Sequence, residues 1–156
     1  MKFIVDSNVG RLAKWLRMAG FDTIFINDLD DNRLVRLALS EDRMLLTKDT
    51  QILKRRVVAT GRLKVILIES EDVKEQLRQV IKVLHLADEI KPFTLCLECN
   101  QPLVHREKEE VEGLVPPYVF KTQTQYMQCP SCHRVYWRGT HWQKMSKELE
   151  KIVSES

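Results

Sequence analysis

The sequence has no apolar run close to the roughly 18 residues that a membrane-spanning helix requires, because Lys and Arg interrupt every candidate. Its first segment, MKFIVDSNVGRLAKWLR, has neither the apolar core nor the small-residue cleavage site of a secretory signal. We therefore expect a cytoplasmic protein with no membrane partner. A P-loop and a GxGxxG motif are also absent, which disfavours the common nucleotide-binding enzymes.

Two residue types are each missing from one part of the chain. Residues 1–90 contain no cysteine and residues 91–156 contain no aspartate, although the chain has four cysteines and nine aspartates. The net charge of +3 is too small to indicate nucleic-acid binding by itself. This segregation predicts two units of different chemistry, residues 1–90 and residues 91–156, with the segment KPF (91–93) at the break.

The first unit alternates between strand and helix patterns. Apolar or β-branched strands are predicted at residues 2–6, 23–26, 43–47 and 64–69. Helical patterns follow them at residues 9–20, 32–42, 50–61 and 70–86. This order is typical of the α/β class, in which a mostly parallel sheet is flanked by helices.

Acidic residues recur where the predicted strands end. They are Asp6 after the first strand, Asp28, Asp30 and Asp31 after the second, Asp49 after the third, and Glu69 and Asp72 after the fourth. The carboxyl ends of parallel strands form one edge of a sheet, and ligands bind outside that edge. Because clustered carboxylates repel one another, the pattern favours a divalent ion with oxygen ligands, Mg²⁺ or Mn²⁺. Such an ion supports phosphodiester hydrolysis.

Each acid also has a simpler interpretation. Asp30 or Asp31 is suited to cap the second helix, and Asp49 is suited to cap the third. Asp28 and Asp72 favour a solvated loop or a helix cap. Asp6 is harder to explain in this way, because a carboxylate that ends an apolar strand needs a partner where it is buried.

The four cysteines form two CxxC pairs, Cys96 with Cys99 and Cys129 with Cys132, separated by 29 residues. Two such pairs predict a closed tetrahedral zinc site, which is structural because it leaves no open coordination position. Disulfides are disfavoured in the cytoplasm, and a redox CxxC needs a thioredoxin-like context that this sequence lacks. The long spacing implies an inserted arm between the pairs, and residues 142–153 predict a terminal amphipathic helix that completes this zinc-ribbon unit.

Basic residues lie close to the predicted acidic edge. Arg11, Lys14 and Arg17 share one face of the first helix, and Arg55 follows Asp49 by about two helical turns. We predict that these four residues contact the phosphates of a nucleic acid, which would make binding dependent on salt. The alternative is an ordinary solvated helix face.

Aromatic residues accompany the second cysteine pair. Tyr136, Trp137 and Trp142 lie near Arg134 and Arg138 and could form a stacking surface for single-stranded bases. They are equally suited to form the small core of a zinc ribbon. His141 either packs at the surface or faces the acidic pocket as a proton donor.

The segments FIVDSNVGRLAKWLRMAGFDT (3–23) and DDNRLVRLALSEDRMLLTKD (30–49) resemble a PIN-like ribonuclease domain. Four later segments extend the resemblance over nearly the whole chain: EQLRQV, CLECN, CPSCHRVYW and GTHWQKM. The combination is most similar to the Mut-seven C-terminal RNase family, in which a PIN-like domain is joined to a C-terminal zinc ribbon.

The resemblance implies a metal-dependent ribonuclease, a hydrolase. It implies that Asp6, Asp31 and Asp49 are catalytic and hold Mg²⁺ or Mn²⁺, whereas Zn²⁺ is structural. RNA is the implied partner, and the ribosome or other RNA-processing proteins are further candidates. The fourth acid of many PIN domains has no clear match here, and Asp28, Glu69 and Asp72 are only candidates for it.

Two other functions stay open from the sequence. A non-catalytic RNA-binding or ribosome-associated module would explain the unmatched fourth acid. A phosphotransfer enzyme also places acids at strand ends. However, the segment DSN (6–8) lacks the second acid of the DxD motif of haloacid-dehalogenase-type phosphatases, and the early acidic pair of receiver domains is missing.

Overall fold

The structure is a computed structural model that describes residues 1–155. Its first part contains a parallel four-stranded sheet with the strand order β2-β1-β3-β4. The strands are β1 (Lys2–Val5), β2 (Asp22–Phe25), β3 (Met44–Thr47) and β4 (Val65–Leu67). All three pairs of neighbouring strands are parallel, which confirms the predicted α/β class.

The two central strands carry apolar side chains on both faces of the sheet. Phe3, Val5 and Leu46 belong to one buried cluster, whereas Ile4 and Leu45 belong to a second one. Successive side chains of a strand point to opposite faces, so a continuous apolar run supplies two cores at once.

Helices cover both faces of this sheet. They are α1 (Leu12–Met18), α2 (Asp31–Ser40), α3 (Arg56–Ala59) and α4 (Val73–Leu84). Helices α1 and α4 contribute to the first apolar cluster and α2 contributes to the second. Asp30 caps α2 by accepting a hydrogen bond from the Arg33 N–H, and Asp72 caps α4.

The third helix is shorter than its pattern predicts. Residues 50–61 form a 3₁₀ turn at Ile52–Lys54 and then the short helix α3, with Arg55 in an extended conformation between them. The break lets Ile52 enter the second core while Arg55 reaches Asn32 at the start of α2. Local periodicity did not reveal this break, because tertiary packing decides it.

The cysteine-containing part is built around an antiparallel sheet with the order β5-β6-β7. Its elements are β5 (Val104–Arg106), α5 (Pro117–Thr122), β6 (Tyr126–Gln128) and β7 (Val135–Tyr136). Tyr126 is fully buried, and its hydroxyl donates to the carbonyl oxygens of Val119 and Gln123, both at 3.0 Å. This buried tyrosine joins α5 to the sheet, so the inserted arm between the cysteine pairs has a small core of its own.

The last helix, α6 (Thr140–Ser154), extends back to the first part of the chain. Its residues Leu149 and Ile152 lie in the apolar cluster formed by α1, α4 and the parallel sheet. Arg78 of α4 also pairs with Glu155, at 2.6 Å. The predicted division at residue 90 stays a proposal. Helix α6 follows that division in the sequence but packs against the first part, because an amphipathic pattern does not identify the neighbour of a helix. None of the helices within residues 1–155 combines the length and the apolar character that crossing a bilayer requires.

Candidate active site and metal centre

The strand order places a crevice at the ends of β1 and β3. The chain runs from β1 to β2 on one side and then crosses to β3 on the other side, so the order reverses between β1 and β3. In parallel α/β sheets, ligands bind outside the carboxyl ends of the strands at this switch point. Asp6 directly follows β1 and Asp49 lies two residues beyond β3. Two of the three predicted catalytic acids therefore leave the sheet at the expected position.

Asp6 is held in place by hydrogen bonds to both of its carboxylate oxygens. The side chain is only 8% exposed. Its Oδ1 accepts from the Ser7 backbone N–H at 2.8 Å, and its Oδ2 accepts from the Thr47 hydroxyl at 2.8 Å. These donors satisfy both oxygens of a carboxylate that would otherwise be costly to bury.

Thr47 connects Asp6 to the third acid. The Thr47 hydroxyl also accepts a hydrogen bond from the Asp49 backbone N–H at 3.0 Å. The sequence analysis treated Thr47 only as the end of a strand, because its position beside Asp6 depends on the pairing of β1 with β3. Asn8 adds a second link between the two strand ends, because its side-chain oxygen accepts from the Lys48 N–H at 3.3 Å.

Asp31 lies in the electrostatic field of the other two acids. It is the first residue of α2, directly after the cap Asp30. Partial burial raises the pKa of Asp31, and the negative charges of Asp49 and then Asp6 raise it further, while Arg55 acts in the opposite direction. The structure therefore brings acids from three separate loops into one charged environment.

The three aspartates form an open arrangement. Within residues 1–155, the cysteines are the only group of three or more His, Cys, Asp or Glu side chains whose ligand atoms all lie within 4.8 Å of one another. Ligand oxygens around a single Mg²⁺ at about 2.1 Å are separated by about 3 to 4 Å. At least one pair among the three aspartates therefore lies further apart than this, whereas the Asp31 and Asp49 carboxyl groups are close enough for a side-chain hydrogen bond. The oxygen-rich donor set itself suits Mg²⁺ or Mn²⁺.

The candidates for a fourth acid have other roles or positions. Asp72 caps α4 by accepting from the backbone N–H groups of Lys74 and Glu75. Glu69 is exposed where β4 ends. Asp28 is exposed in the loop after β2, in the left-handed backbone region, and its N–H donates to the Ser7 hydroxyl at 3.1 Å. None of these three observations assigns a fourth ligand.

The four predicted RNA-contacting cations occupy different environments. Arg55 lies beside the acids, and its guanidinium donates to the Asn32 side-chain oxygen at 2.8 Å. Arg11 is exposed, and Lys14 forms an ion pair with Glu98 at 2.8 Å. Arg11 and Lys14 both line a cleft of about 930 Å³ that extends from Ser7 and Asn8 to His141.

Arg17 is more buried than its helical spacing predicts. It is only 8% exposed, and its guanidinium donates to the carbonyl oxygens of Thr23 at 2.9 Å and Leu97 at 2.7 Å. Helical spacing placed Arg17 on an exposed face, but the first cysteine loop covers that part of α1. Its guanidinium therefore joins two parts of the protein, while Arg17 also lines the cleft beside Arg11 and Lys14, so its phosphate contact stays a prediction.

The four cysteines form a compact cluster at the base of the ribbon. Their sulfur atoms all lie within 4.8 Å of one another, and all four are free thiols. The Cys96 and Cys132 sulfurs are 3.8 Å apart, as expected for two ligands at about 2.3 Å from one tetrahedral zinc ion. A hydrogen bond from the Arg134 backbone lowers the pKa of Cys132 to about 7, whereas the hydrogen bond to Cys132 raises the pKa of Cys99 to about 12, so the first thiolate of the cluster is on Cys132. The cluster is suited to bind structural zinc, as predicted.

The first cysteine loop is attached to the edge strand of the parallel sheet. Besides the Arg17 contact, the Asn100 side chain accepts from the Thr23 backbone N–H at 2.8 Å and donates to the Asp22 carboxylate at 2.6 Å. The candidate zinc site is thereby fixed relative to the strands whose ends carry the acids.

A known family model covers both the acidic crevice and the cysteine cluster. Residues 1–149 match the family model described as the Mut7-C RNAse domain. This range includes the three aspartates of the crevice and all four cysteines. The match confirms the family resemblance of the sequence segments. No curated protein and no solved structure gives a significant match.

Proposed function

Because the chain belongs to the Mut7-C RNase domain family, we propose that it is a metal-dependent ribonuclease that hydrolyses RNA phosphodiester bonds. The observation that carries this proposal is the meeting of acids from three loops at the switch point of a parallel sheet. A cluster of carboxylates in which the pKa of Asp31 is raised, with cations nearby, is typical of a site that binds a divalent ion and a phosphate.

Asp6, Asp31 and Asp49 would hold Mg²⁺ or Mn²⁺ in this proposal. When bound, such an ion supplies a water molecule of lowered pKa and stabilises negative charge on the phosphate. Asp6 provides the fixed ligand, because Ser7 and Thr47 hold both of its oxygens. Asp31 and Asp49 are less buried than Asp6, and Oδ1 of Asp49 accepts from the Gln51 backbone N–H at 2.8 Å, as a capping side chain does.

Two cations are suited to bind the RNA backbone beside these acids. Arg55 is placed near Asp31, and Arg11 lines the cleft that begins at Ser7 and Asn8. Lys14 contributes less because it is paired with Glu98. Arg17 lines the same cleft but would contribute less, because its guanidinium donates to two carbonyl oxygens within the protein.

The cysteine cluster would hold Zn²⁺ in a structural site, and the ribbon would position RNA or a protein partner. A closed four-thiolate site offers no position for a substrate oxygen, so zinc has no catalytic role here. Four reduced thiols fit a cytoplasmic location, which remains part of the proposal. The ribosome or other RNA-processing proteins also remain proposed partners.

One observation favours a second function, a non-catalytic RNA-binding or ribosome-associated module. At least one pair of the aspartates is spaced more widely than the ligands of one ion, and the fourth acid is unassigned. Incubation of single-stranded and structured RNA with and without Mn²⁺ distinguishes the two functions. The ribonuclease predicts Mn²⁺-stimulated cleavage that Asp6→Asn and Asp49→Asn abolish. The binding module predicts RNA binding in all three proteins and cleavage in none.

A further inference from the structure

A second cavity, of about 530 Å³, lies in the ribbon between α5, β7 and the first turns of α6. Four aromatic residues line it: Tyr118, Tyr136, Trp137 and Trp142. Its lining contains no Lys, Arg, Asp or Glu but includes side-chain amides from Gln123 and Gln143. A cavity of this size is within the roughly 300–1,000 Å³ range of ligand sites, and its surface is suited to a flat neutral group with hydrogen-bonding edges.

Three of these rings are held by the ribbon itself. The Tyr136 hydroxyl accepts from the Leu97 N–H at 3.1 Å. Trp137 packs against the buried cluster around Tyr126. The Trp142 ring lies under the Arg138 guanidinium, which is 5.0 Å from the ring centroid. Of the two roles that the sequence left open for these rings, a stacking surface or a small core, the contacts support the core role. They also hold the rings in place in the cavity wall.

Tyr118 is different, because structural packing does not account for its position. It is 69% exposed although it lines the cavity, and it is the most exposed large apolar side chain within residues 1–155. An aromatic ring at the entrance to an aromatic cavity is a typical platform for base stacking.

Charge around the cavity favours a polyanion. Residues 113–147, which include α5, β7 and the first half of α6, contain five Lys or Arg residues and no Asp or Glu. Sites for single-stranded nucleic acid combine basic side chains, which follow the backbone, with aromatic rings, on which the bases stack. Here the neutral aromatic lining is suited to bind a base, and the basic surroundings are suited to bind the phosphate backbone.

The cavity shares part of its wall with the larger cleft, which begins next to the first of the three acids. Leu97, His141 and Met145 line both spaces. The larger cleft begins at Ser7 and Asn8, directly after Asp6. A strand that enters the aromatic cavity could therefore continue along the cleft to the acidic edge without leaving the protein surface.

We propose that the ribbon cavity binds an unpaired nucleobase, stacked on Tyr118, of a single-stranded RNA whose backbone continues through the cleft to Asp6, Asp31 and Asp49. The proposal rests on the proposed ribonuclease function and names its substrate class. A base must be free of its own pairing and stacking to enter the cavity, so an RNA with an unpaired segment beside the cleavage site is selected over a continuous duplex.

Binding of labelled single-stranded RNA to the full chain, followed by fluorescence anisotropy without Mg²⁺ or Mn²⁺, tests the proposal without interference from cleavage. Tyr118→Ala is expected to weaken binding by about 5- to 100-fold, and Tyr118→Phe is expected to retain it. Leu114→Ala is the matched control, because Leu114 is 59% exposed in the same ribbon but does not line the cavity. It is expected to bind like the parent.

Oligomers that carry abasic residues separate stacking from charge. The parent is expected to bind them more weakly than the intact oligomer, and Tyr118→Ala is expected to bind both equally. Equal binding by the parent and Tyr118→Ala, or an equal response of both proteins to abasic residues, would overturn the proposal.

The cleavage assay keeps the two proposals apart. Tyr118-dependent RNA binding without any Mn²⁺-stimulated cleavage would reject the ribonuclease and leave the base site standing. Mn²⁺-stimulated cleavage with the same KM in the parent and Tyr118→Ala would reject the base site and leave the ribonuclease standing.

Discussion

The Thr47 hydroxyl lies 2.8 Å from Oδ2 of Asp6, so the last residue of one central strand orients the acid that follows the other. The same hydroxyl accepts from the Asp49 backbone N–H. A single buried threonine therefore sets the relative positions of two proposed metal ligands. Partners that orient a ligand in this way commonly affect metal affinity or activity by about 10- to 100-fold.

Replacement of Thr47 by valine tests this role. Thr47→Val keeps the shape of the side chain but removes the donor to Asp6, so we expect the Mn²⁺ concentration for half-maximal RNA cleavage to rise by about 10- to 100-fold. The measurement is a Mn²⁺ titration of initial cleavage rates. Thr47→Ser is the control, because it restores the hydroxyl and should restore the parent's response. Parent-like Mn²⁺ dependence in Thr47→Val would show that the hydroxyl does not orient the site.

Removal of the Asp31 charge should stabilise the metal-free protein. The pKa of Asp31 is raised by burial and by the charges of Asp49 and Asp6, so the folded state binds this proton more tightly than the unfolded chain. The stability of the metal-free protein should therefore fall as the pH rises through the raised pKa. At neutral pH we expect Asp31→Asn to have a higher melting temperature than the parent, and to lose cleavage.

Thermal unfolding with and without Mn²⁺ provides the check on Asp31. Mn²⁺ should raise the melting temperature of the parent more than that of Asp31→Asn, since binding to the folded state alone stabilises it. Asp30→Asn is the matched control, because this neighbouring acid caps α2 through an oxygen that asparagine also has. A lower melting temperature for metal-free Asp31→Asn than for the parent would contradict the account.

Arg17 should act on stability more than on phosphate binding. Arg17→Met keeps the aliphatic length but leaves the carbonyl oxygens of Thr23 and Leu97 without their buried donor, so we expect a loss of about 2 to 4 kcal/mol in the free energy of unfolding. Urea denaturation measures this loss. The salt dependence of RNA binding should keep the parent's slope.

Arg55→Met is the comparison for Arg17. It should leave the free energy of unfolding nearly unchanged and should lower the slope of log affinity against log salt by about 0.7, the value for one phosphate contact on a single strand. The opposite pattern, with Arg17→Met lowering the slope and Arg55→Met lowering stability, would support the prediction made for Arg17 from the sequence.

The two sites differ in how far the sequence could predict them. Continuous apolar runs and helical apolar patterns predicted the strands and most helices of the first part, because a strand that is buried on both faces has an unbroken apolar sequence. The cysteine site was also predictable, since both its ligands and their spacing are local. The acids were predictable in position, because strand ends can be located before the fold is known.

Features that depend on distant partners were not predictable. Arg17 has the spacing of an exposed cation, and only the carbonyl of Leu97, 80 residues later, identifies its role. The amphipathic helix α6 gave no sign that Ile152 would enter the core of the first part. Thr47 looked like any β-branched strand residue until Asp6 was found beside it.

Zinc should be required by the ribbon and not by the parallel sheet. The ribbon has strands of two or three residues and a core of four fully or nearly buried side chains, which is too little to fold without a metal. We expect one zinc ion per chain in freshly purified protein, by mass spectrometry of the metal. Cys96→Ser should lose the zinc and become sensitive to protease between residues 94 and 139. Freshly purified, folded protein that contains no zinc and in which all four thiols react freely would contradict the site.

The central claim is that carboxylates from three loops share a divalent cation. It is tested most directly by crystals of the full chain soaked in Mn²⁺ and measured at a wavelength where manganese scatters anomalously. The account predicts an anomalous peak within coordination distance of Asp6 and at least one of Asp31 and Asp49, and its loss in Asp6→Asn. A Mn²⁺-soaked crystal with no peak between these acids, or with Mn²⁺ bound only elsewhere, would contradict the account.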